Sequence, residues 1–214
     1  MSATVHIVDD DASFRASTGR LLQACGYAVA LHESGEALLA QLPKDAGRSC
    51  ILLDIRIPAL SGPELQARLN EMGSHVPIVF LTGHGDISTA VQVIKAGAED
   101  LLTKPVAKDT LLAAIDRAIA RGRARQQQDD KLDSLRQQVS GLTPRERQVF
   151  ERVAQGRLNK QIAYELGTTE RTIKAHRHNL MEKLGVDSSS KLVLVAERLG
   201  MLDRPPHPNE SKLP

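Results

Sequence analysis

Three adjacent carboxylates, Asp9, Asp10 and Asp11, follow the apolar run Val5-His6-Ile7-Val8, and a fourth, Asp54, follows Ile51-Leu52-Leu53. Carboxylates gathered at one place repel one another and raise each other's pKa unless a cation sits among them. Magnesium meets that need with oxygen ligands in octahedral geometry, using one or two carboxylates, several waters and a phosphoryl oxygen. Lys104, beyond Leu101-Leu102, supplies a second cation. A carboxylate flanked by magnesium and an ammonium group can attack a phosphoryl donor, because its own charge and that of the transferring oxygens are both neutralised. Thr82, ending the run Ile78-Val79-Phe80-Leu81, can hydrogen-bond one of those oxygens.

The elements that must bring these groups together are legible in the same half of the chain. Short aliphatic runs at Val5-His6-Ile7-Val8, from Ala28 to Leu31, and at Ile51-Leu52-Leu53, Ile78-Val79-Phe80-Leu81 and Leu101-Leu102 predict five strands, separated by four helical patterns. Pro63 after Gly62 fits the first position of one of those helices. Near-continuous apolar strands alternating with helices predict an α/β doubly wound, five-stranded parallel sheet over residues 1–120. In such a sheet the residues just past the strands' carboxyl ends line the ligand crevice, and the acids, Thr82 and Lys104 all occupy such positions.

Taken in order and spacing, these residues resemble a response-regulator receiver domain, with Pro58, Gly62, Thr82-Gly83-His84-Gly85 and Lys95-Ala96-Gly97-Ala98 extending the match over about 115 residues. The resemblance implies a flavodoxin-like fold, Asp54 as phosphoacceptor, Asp9 and Asp10 as the acidic pair, Thr82 as the switch hydroxyl and Lys104 as the invariant lysine. It also implies a Mg2+ ion reached by Asp10, Asp54 and the backbone carbonyl of Arg56, with Asp9 acting through water, and a cis-like peptide at Lys104-Pro105. Three positions depart from the family's habit: Ile57 for methionine, Val106 for phenylalanine, and Leu101 for the aromatic switch residue. Asp9 and Asp11 after an apolar strand also fit the nucleophile pair of haloacid-dehalogenase-like phosphatases, an enzymatic reading that leaves Asp54 unemployed.

The second half differs in composition and charge. Residues 1–119 carry 10 basic and 14 acidic side chains, a net of −4, whereas residues 120–214 carry 18 basic and 12 acidic ones, a net of +6. That is the sign of a segment meeting a polyanion. Residues 121–140 are rich in Arg, Gln and Asp and predict a linker, helical in part, whose Leu132, Leu135 and Val139 form one narrow stripe able to pack on a second copy. From residue 141 to 202 the pattern is four helices broken at Gly156, Gly167 and Gly185, opened by the capping box Thr143-Pro144-Arg145-Glu146. Residues 203–214, with Pro205, Pro206 and Pro208, predict a disordered tail.

A short helix from Asn159 to Leu166, a turn at Gly167-Thr168-Thr169 and a longer helix from Glu170 to about Leu184 make a helix-turn-helix candidate. With Ile173 facing the core, Arg171, Lys174, Ala175 and His178 fall on the opposite side, where they can reach phosphates and base edges. Arg177 lies near the core flank and is expected to contact a phosphate by snorkelling. The blocks Leu142-Thr143-Pro144-Arg145-Glu146, Asn159-Lys160-Gln161-Ile162-Ala163, Thr172-Ile173-Lys174-Ala175-His176 and Lys183-Leu184-Gly185-Val186 resemble a LuxR-type DNA-binding domain. That resemblance implies base-facing roles for Lys174, Ala175 and His178, phosphate contacts by Lys160, Thr169 and Thr172, and dimer contacts by Lys191, Leu192 and Val195.

Together the halves resemble FixJ/NarL-type response regulators. The expectation is a transcriptional regulator phosphorylated by a partner histidine kinase and bound to promoter DNA as a homodimer, with RNA polymerase as a further partner. Dimerisation is expected on the face of the fourth helix, fifth strand and fifth helix, with Val91, Lys95 and Asp100 as contacts. The alternative is a regulator that binds DNA constitutively. No membrane span or secretory signal is expected, and Cys25 and Cys50 lack a metal or disulfide spacing, which favours a reducing, cytoplasmic setting.

Overall fold

The computed structural model describes residues 3–42, 46–83 and 87–202; the predicted tail and the residues His84-Gly85-Asp86 lie outside them. The chain divides into two compact units between Gln128 and Asp129. The first unit contains β1 (Thr4–Val8), α1 (Ala12–Ala24), β2 (Ala28–His32), α2 (Gly35–Ala40), β3 (Ser49–Asp54), α3 (Gly62–Glu71), β4 (Ile78–Thr82), α4 (Ile87–Lys95) and β5 (Asp100–Thr103). Helix α5 runs from Lys108 to Ser140, so residues 121–140 continue it rather than forming a separate segment. No helix among the described residues is long and apolar enough to cross a membrane.

All strands are parallel, in the order β2-β1-β3-β4-β5. Successive side chains of a strand face opposite ways, and here both faces are covered. Val5, Ile7, Leu52, Val79 and Leu81 pack with Leu22 of α1 and with Leu111 and Ile115 of α5. Val8, Ile51, Leu53 and Phe80 pack with Leu38 of α2, Leu65 and Leu69 of α3 and Val93 of α4. This double burial is why the central strands read as uninterrupted apolar runs.

Helix starts are set by side-chain caps. Asp11 accepts from the backbone N–H groups of Ser13 and Phe14 at 2.8 and 3.1 Å, so the third acid of the Asp run caps α1. The Glu64 carboxylate accepts from both the N–H and the hydroxyl of Ser61 ahead of α3. That helix begins at Gly62, which puts Pro63 in its second position, one later than the sequence suggests.

The second unit contains α6 (Pro144–Ala154), α7 (Asn159–Glu165), α8 (Glu170–Lys183) and α9 (Ser189–Arg198). Val149, Phe150, Ile162, Ile173, Leu180, Leu184 and Leu192 form its core. Val139 is buried in that core and Leu135 packs against it, so the stripe that could have packed on a second copy is partly consumed within the unit. Thr143 and Glu146 form the expected capping box, and the same Glu146 carboxylate takes a 2.7 Å ion pair from Lys183 at the end of α8. At Gly167 a positive φ of 62° makes the turn between α7 and α8, a conformation open to glycine at no steric cost.

On β1 and β2, the buried rings of His6 and His32 stack, with Nδ1 of one 3.1 Å from Nε2 of the other. Burial and the neighbouring His32 push His6 down from 6.5 to about 4, and burial lowers His32 as well. The unfolded chain binds protons here more readily than the folded one, so this contribution is complete above about pH 6.5 and is lost as pH falls toward about 4. Urea unfolding of the first unit is expected to show a loss of about 2 kcal/mol between pH 7 and pH 5. Combining His6→Leu with His32→Leu should remove most of that slope; an unchanged slope in the double variant would contradict the assignment.

Candidate functional site

The carboxyl ends of β1, β3, β4 and β5 form one rim. Val8 pairs with Leu53, which sets Asp9 beside Asp54, and Thr82 pairs with Thr103, which sets Lys104 beside them. The Lys104 N–H donates to the Thr82 carbonyl at 2.7 Å. The Lys104 ammonium donates to Oδ2 of Asp9 at 2.6 Å and to Oδ2 of Asp54. Each acid's second oxygen is held by the chain just past its strand: Asp9 Oδ1 accepts from the Asp11 N–H and Asp54 Oδ1 from the Arg56 N–H, both at 2.9 Å.

Asp9 is 1% exposed. Burial raises its pKa, and the Lys104 hydrogen bond opposes that rise without cancelling it. For Lys104, burial alone would lower the pKa, but its hydrogen bonds to Asp54 and Asp9 and the charges of those carboxylates hold it above its ordinary value. The ammonium also sits 4.1 Å from the centre of the Phe14 ring, a cation–π contact, while the Arg15 guanidinium fixes the Asp9 carbonyl at 2.6 Å. Neither residue was singled out from the sequence, because their spacing from Asp9 fits an ordinary amphipathic helix. The Lys104-Pro105 peptide is cis.

Asp10 is exposed and, with Arg56, Pro58, Ser61 and Thr89, lines an open depression of about 560 Å³. Among the described residues no three His, Cys, Asp or Glu side chains converge as a metal cluster. Magnesium does not require one: two carboxylates and a backbone oxygen, completed by water, suit its preference. Asp10 and Arg56 belong to the wall of the same depression. Asp9, with one oxygen on Asp11 and the other on Lys104, suits an indirect role.

Gly62 closes the back of this site. A Cβ there would lie 2.7 Å from the Asp54 carbonyl oxygen, 2.9 Å from the Phe80 ring and 3.0 Å from the Ile55 Cα. Thr82 is buried at the end of β4, and Leu101 is half-buried on β5. Of the expected dimer contacts on this unit, Val91 and Lys95 are exposed on α4, whereas the Asp100 carboxylate is paired at 2.7 Å with Arg117. Ile87, 79% exposed, and Ile94 extend Val91 into an apolar stripe that the sequence reading missed; their four- and three-residue spacing was the available signal.

On the second unit Arg171, Lys174, Ala175 and His178 are exposed on one side of α8, and Lys160 is exposed at the start of α7. Thr169 caps α8, its hydroxyl accepting from the Thr172 N–H at 3.2 Å and lying 2.9 Å from the Thr172 hydroxyl. Arg177, expected to reach a phosphate, has its guanidinium bonded within the unit, to Asn159 and Ser189, because the core flank places it against those helix starts. One expectation needs correction. Leu192 and Val195, 0% and 6% exposed, are spent in the unit's own core and have no surface for a dimer; the exposed apolar residue on α9 is Leu194, beside Lys191.

Residues 5–116 match the response regulator receiver domain family, and residues 140–196 match the bacterial regulatory proteins of the luxR family. Among curated proteins, the chain is similar to the transcriptional regulatory protein FixJ of Azorhizobium caulinodans, 40% identical over 201 residues, which cover 94% of each chain. It is equally similar to the response regulator protein TmoT of Ectopseudomonas mendocina, 40% identical over 92% of this chain and 89% of that one. Among solved structures, the response regulator StyR aligns with a TM-score of 0.80 and 41% identity over 92% of this chain and 100% of its own. Full-length FixJ from B. japonicum aligns with a TM-score of 0.57 and 38% identity over 95% and 100%.

The contacts behind Gly62 generate a test of the rim. Gly62→Ala must push the Asp54 backbone or tilt α3, at a cost of about 1–3 kcal/mol. A lower urea midpoint for the first unit, with circular dichroism of the second unit's transition unchanged, is expected; an unaffected midpoint would show that the rim tolerates the added methyl group.

Proposed function

The chain belongs to the FixJ-type response regulators, with a receiver and a LuxR-type DNA-binding domain in one polypeptide, and we propose that Asp54 is its phosphoacceptor. As a member of that family it is a phosphorylation-regulated transcriptional regulator and not an enzyme, and the phosphatase reading falls with that assignment. The observation that carries the Asp54 reading is the Lys104 ammonium shared between Asp9 and Asp54 at the strand ends.

A histidine kinase is the donor expected for a receiver. One oxygen of Asp54 bonds to phosphorus while the bond from phosphorus to the donor nitrogen breaks, and the donor leaves with its electron pair and takes up a proton. Asp54 Oδ1 is oriented for this by the Arg56 N–H. The Lys104 ammonium then exchanges a carboxylate charge for a phosphoryl oxygen. Receiver domains bind Mg2+ at this site, and here Asp10, Asp54 and the Arg56 carbonyl would hold it; the ion supplies charge neutralisation for the phosphoryl oxygens. Thr82, at the end of the neighbouring strand, is the hydroxyl that follows the phosphoryl group, and the half-buried Leu101 on β5 is the residue that repacks with it.

The readout is dimerisation followed by DNA binding. The stripe Ile87, Val91 and Ile94 with Lys95 on α4 is the surface for a second receiver, with Lys191 and Leu194 of α9 serving a second DNA-binding domain. Lys174, Ala175 and His178, flanked by Arg171, face base edges; Lys160, Thr169 and Thr172 lie at helix starts suited to phosphates. Two copies place two α8 helices in successive major grooves, and RNA polymerase is the partner on which promoter-bound dimers act.

Incubation with Mg2+ and acetyl phosphate, followed by intact-mass measurement and sedimentation, tests this reading. One phosphoryl group and a monomer-to-dimer shift are expected for the wild type, with neither in Asp54→Asn. A phosphoryl group retained by Asp54→Asn would assign the acceptor elsewhere; phosphorylation without change in sedimentation would favour constitutive DNA binding.

A further inference from the structure

Arg177 stands in the middle of α8, four residues beyond the buried Ile173 and thus about 40° round the helix from it. Its guanidinium does not share the exposed side of the helix with Lys174 and His178. Nη1 donates to Oδ1 of Asn159, the first residue of α7, at 2.6 Å, and Nη2 donates to the hydroxyl of Ser189, the first residue of α9. Burial lowers its pKa, yet an arginine remains a cation at neutral pH. The buried row Ile173, Leu180 and Leu184 fixes which side of α8 faces the core, but the hydrophobic drive behind that burial is non-directional. Two hydrogen bonds from one rigid planar fork are directional, and they run to two different helices.

We infer that Arg177 is a positioning residue for DNA recognition, a brace that fixes the rotation of α8 by tying it to the first residues of α7 and α9. The inference rests on the DNA-binding reading of α8 and replaces a phosphate contact by Arg177. Asn159 directly precedes Lys160, so the brace also sets the spacing between the start of α7, where Lys160 meets a phosphate, and the side of α8 carrying Lys174 and His178. A lysine at 177 would keep the charge but place a single ammonium point where two separated donors are needed, so charge alone cannot replace the fork.

The two roles separate in the salt dependence of binding. A side chain that neutralises a phosphate adds about 0.9 to the slope of log affinity against log salt concentration, whereas a brace adds nothing to it. The test uses the full chain treated with Mg2+ and acetyl phosphate, and as probe a short labelled duplex enriched from a random library by the wild type. Anisotropy titrations across a potassium chloride series are expected to show Arg177→Gln binding about tenfold more weakly with an unchanged slope. Arg177→Lys should be no better than Arg177→Gln. Ser189→Ala, a change at an exposed hydroxyl that leaves the core untouched, should weaken binding severalfold, and adding it to Arg177→Gln should cost nothing further. A slope reduced by about 0.9 in Arg177→Gln and restored in Arg177→Lys would overturn the brace in favour of a phosphate contact. Wild-type affinity in both Arg177→Gln and Ser189→Ala would overturn it as well. Failure of the wild type to enrich any duplex would overturn the DNA-binding reading itself, an outcome visible before any variant is measured.

Discussion

One ammonium group shared by two carboxylates governs the first unit. Asp9 is buried at the end of β1 and Asp54 lies beside it at the end of β3, an arrangement that mutual repulsion would oppose without Lys104 between them. The lysine reaches that point because β5 lies two strands from β3 and its backbone is registered to Thr82 of the intervening strand. The sheet order, the strand lengths and the approach of α3 at Gly62 all serve to bring three side chains from three strands within hydrogen-bond reach. Replacing a carboxylate charge by a phosphoryl group changes the one balance on which this rim rests, so the response is felt first by the residues that touch it.

The same logic separates the parts of the molecule that hold still from those that can respond. Both sheet faces are sealed by large aliphatic side chains, and such close-packed interiors do not deform continuously. By contrast α4 buries Val93 while leaving Ile87, Val91 and Ile94 at the surface, so its inner side is tethered and its outer side is unspent apolar area. The second unit is built on a different plan: a small apolar core, a buried Glu146 paired with Lys183, and a polar fork at Arg177 hold four short helices in register. Specific hydrogen bonds there supply the orientation that a core of this size leaves loosely defined.

Much of this was legible in the sequence because it follows from periodicity and termination. Aliphatic runs ending in Asp54, Thr82 and Lys104 indicated both the strands and the rim, since strand ends in a parallel sheet converge. The capping box at Thr143 and Glu146 and the break at Gly167 located α6, α7 and α8 to within a residue or two. What escaped was set by side-chain direction in three dimensions. Asp11 looked like a member of the acidic cluster but turns into the first turn of α1 as its cap. Leu192 and Val195 share their helix with Leu194, and sequence does not say which of these neighbours faces the core. Helical spacing set Arg177 near the core flank, apart from the other basic residues of α8, but its partners Asn159 and Ser189 are supplied by other helices and could not be read from that spacing. Phe14 and Gly62 matter through contacts to residues far away in sequence, Lys104 and Phe80.

Control of the affinity of α8 for DNA by phosphorylation of Asp54 is the proposal on which the readout depends. It is tested most directly by the affinity of the full chain for a duplex enriched by the phosphorylated protein, measured at one salt concentration before and after Mg2+ and acetyl phosphate, with Asp54→Asn beside it. Pairing two DNA-binding domains predicts a gain of about a hundredfold for the wild type and none for Asp54→Asn. Equal affinity in all four samples would contradict the account and leave a regulator that binds DNA without regard to its receiver.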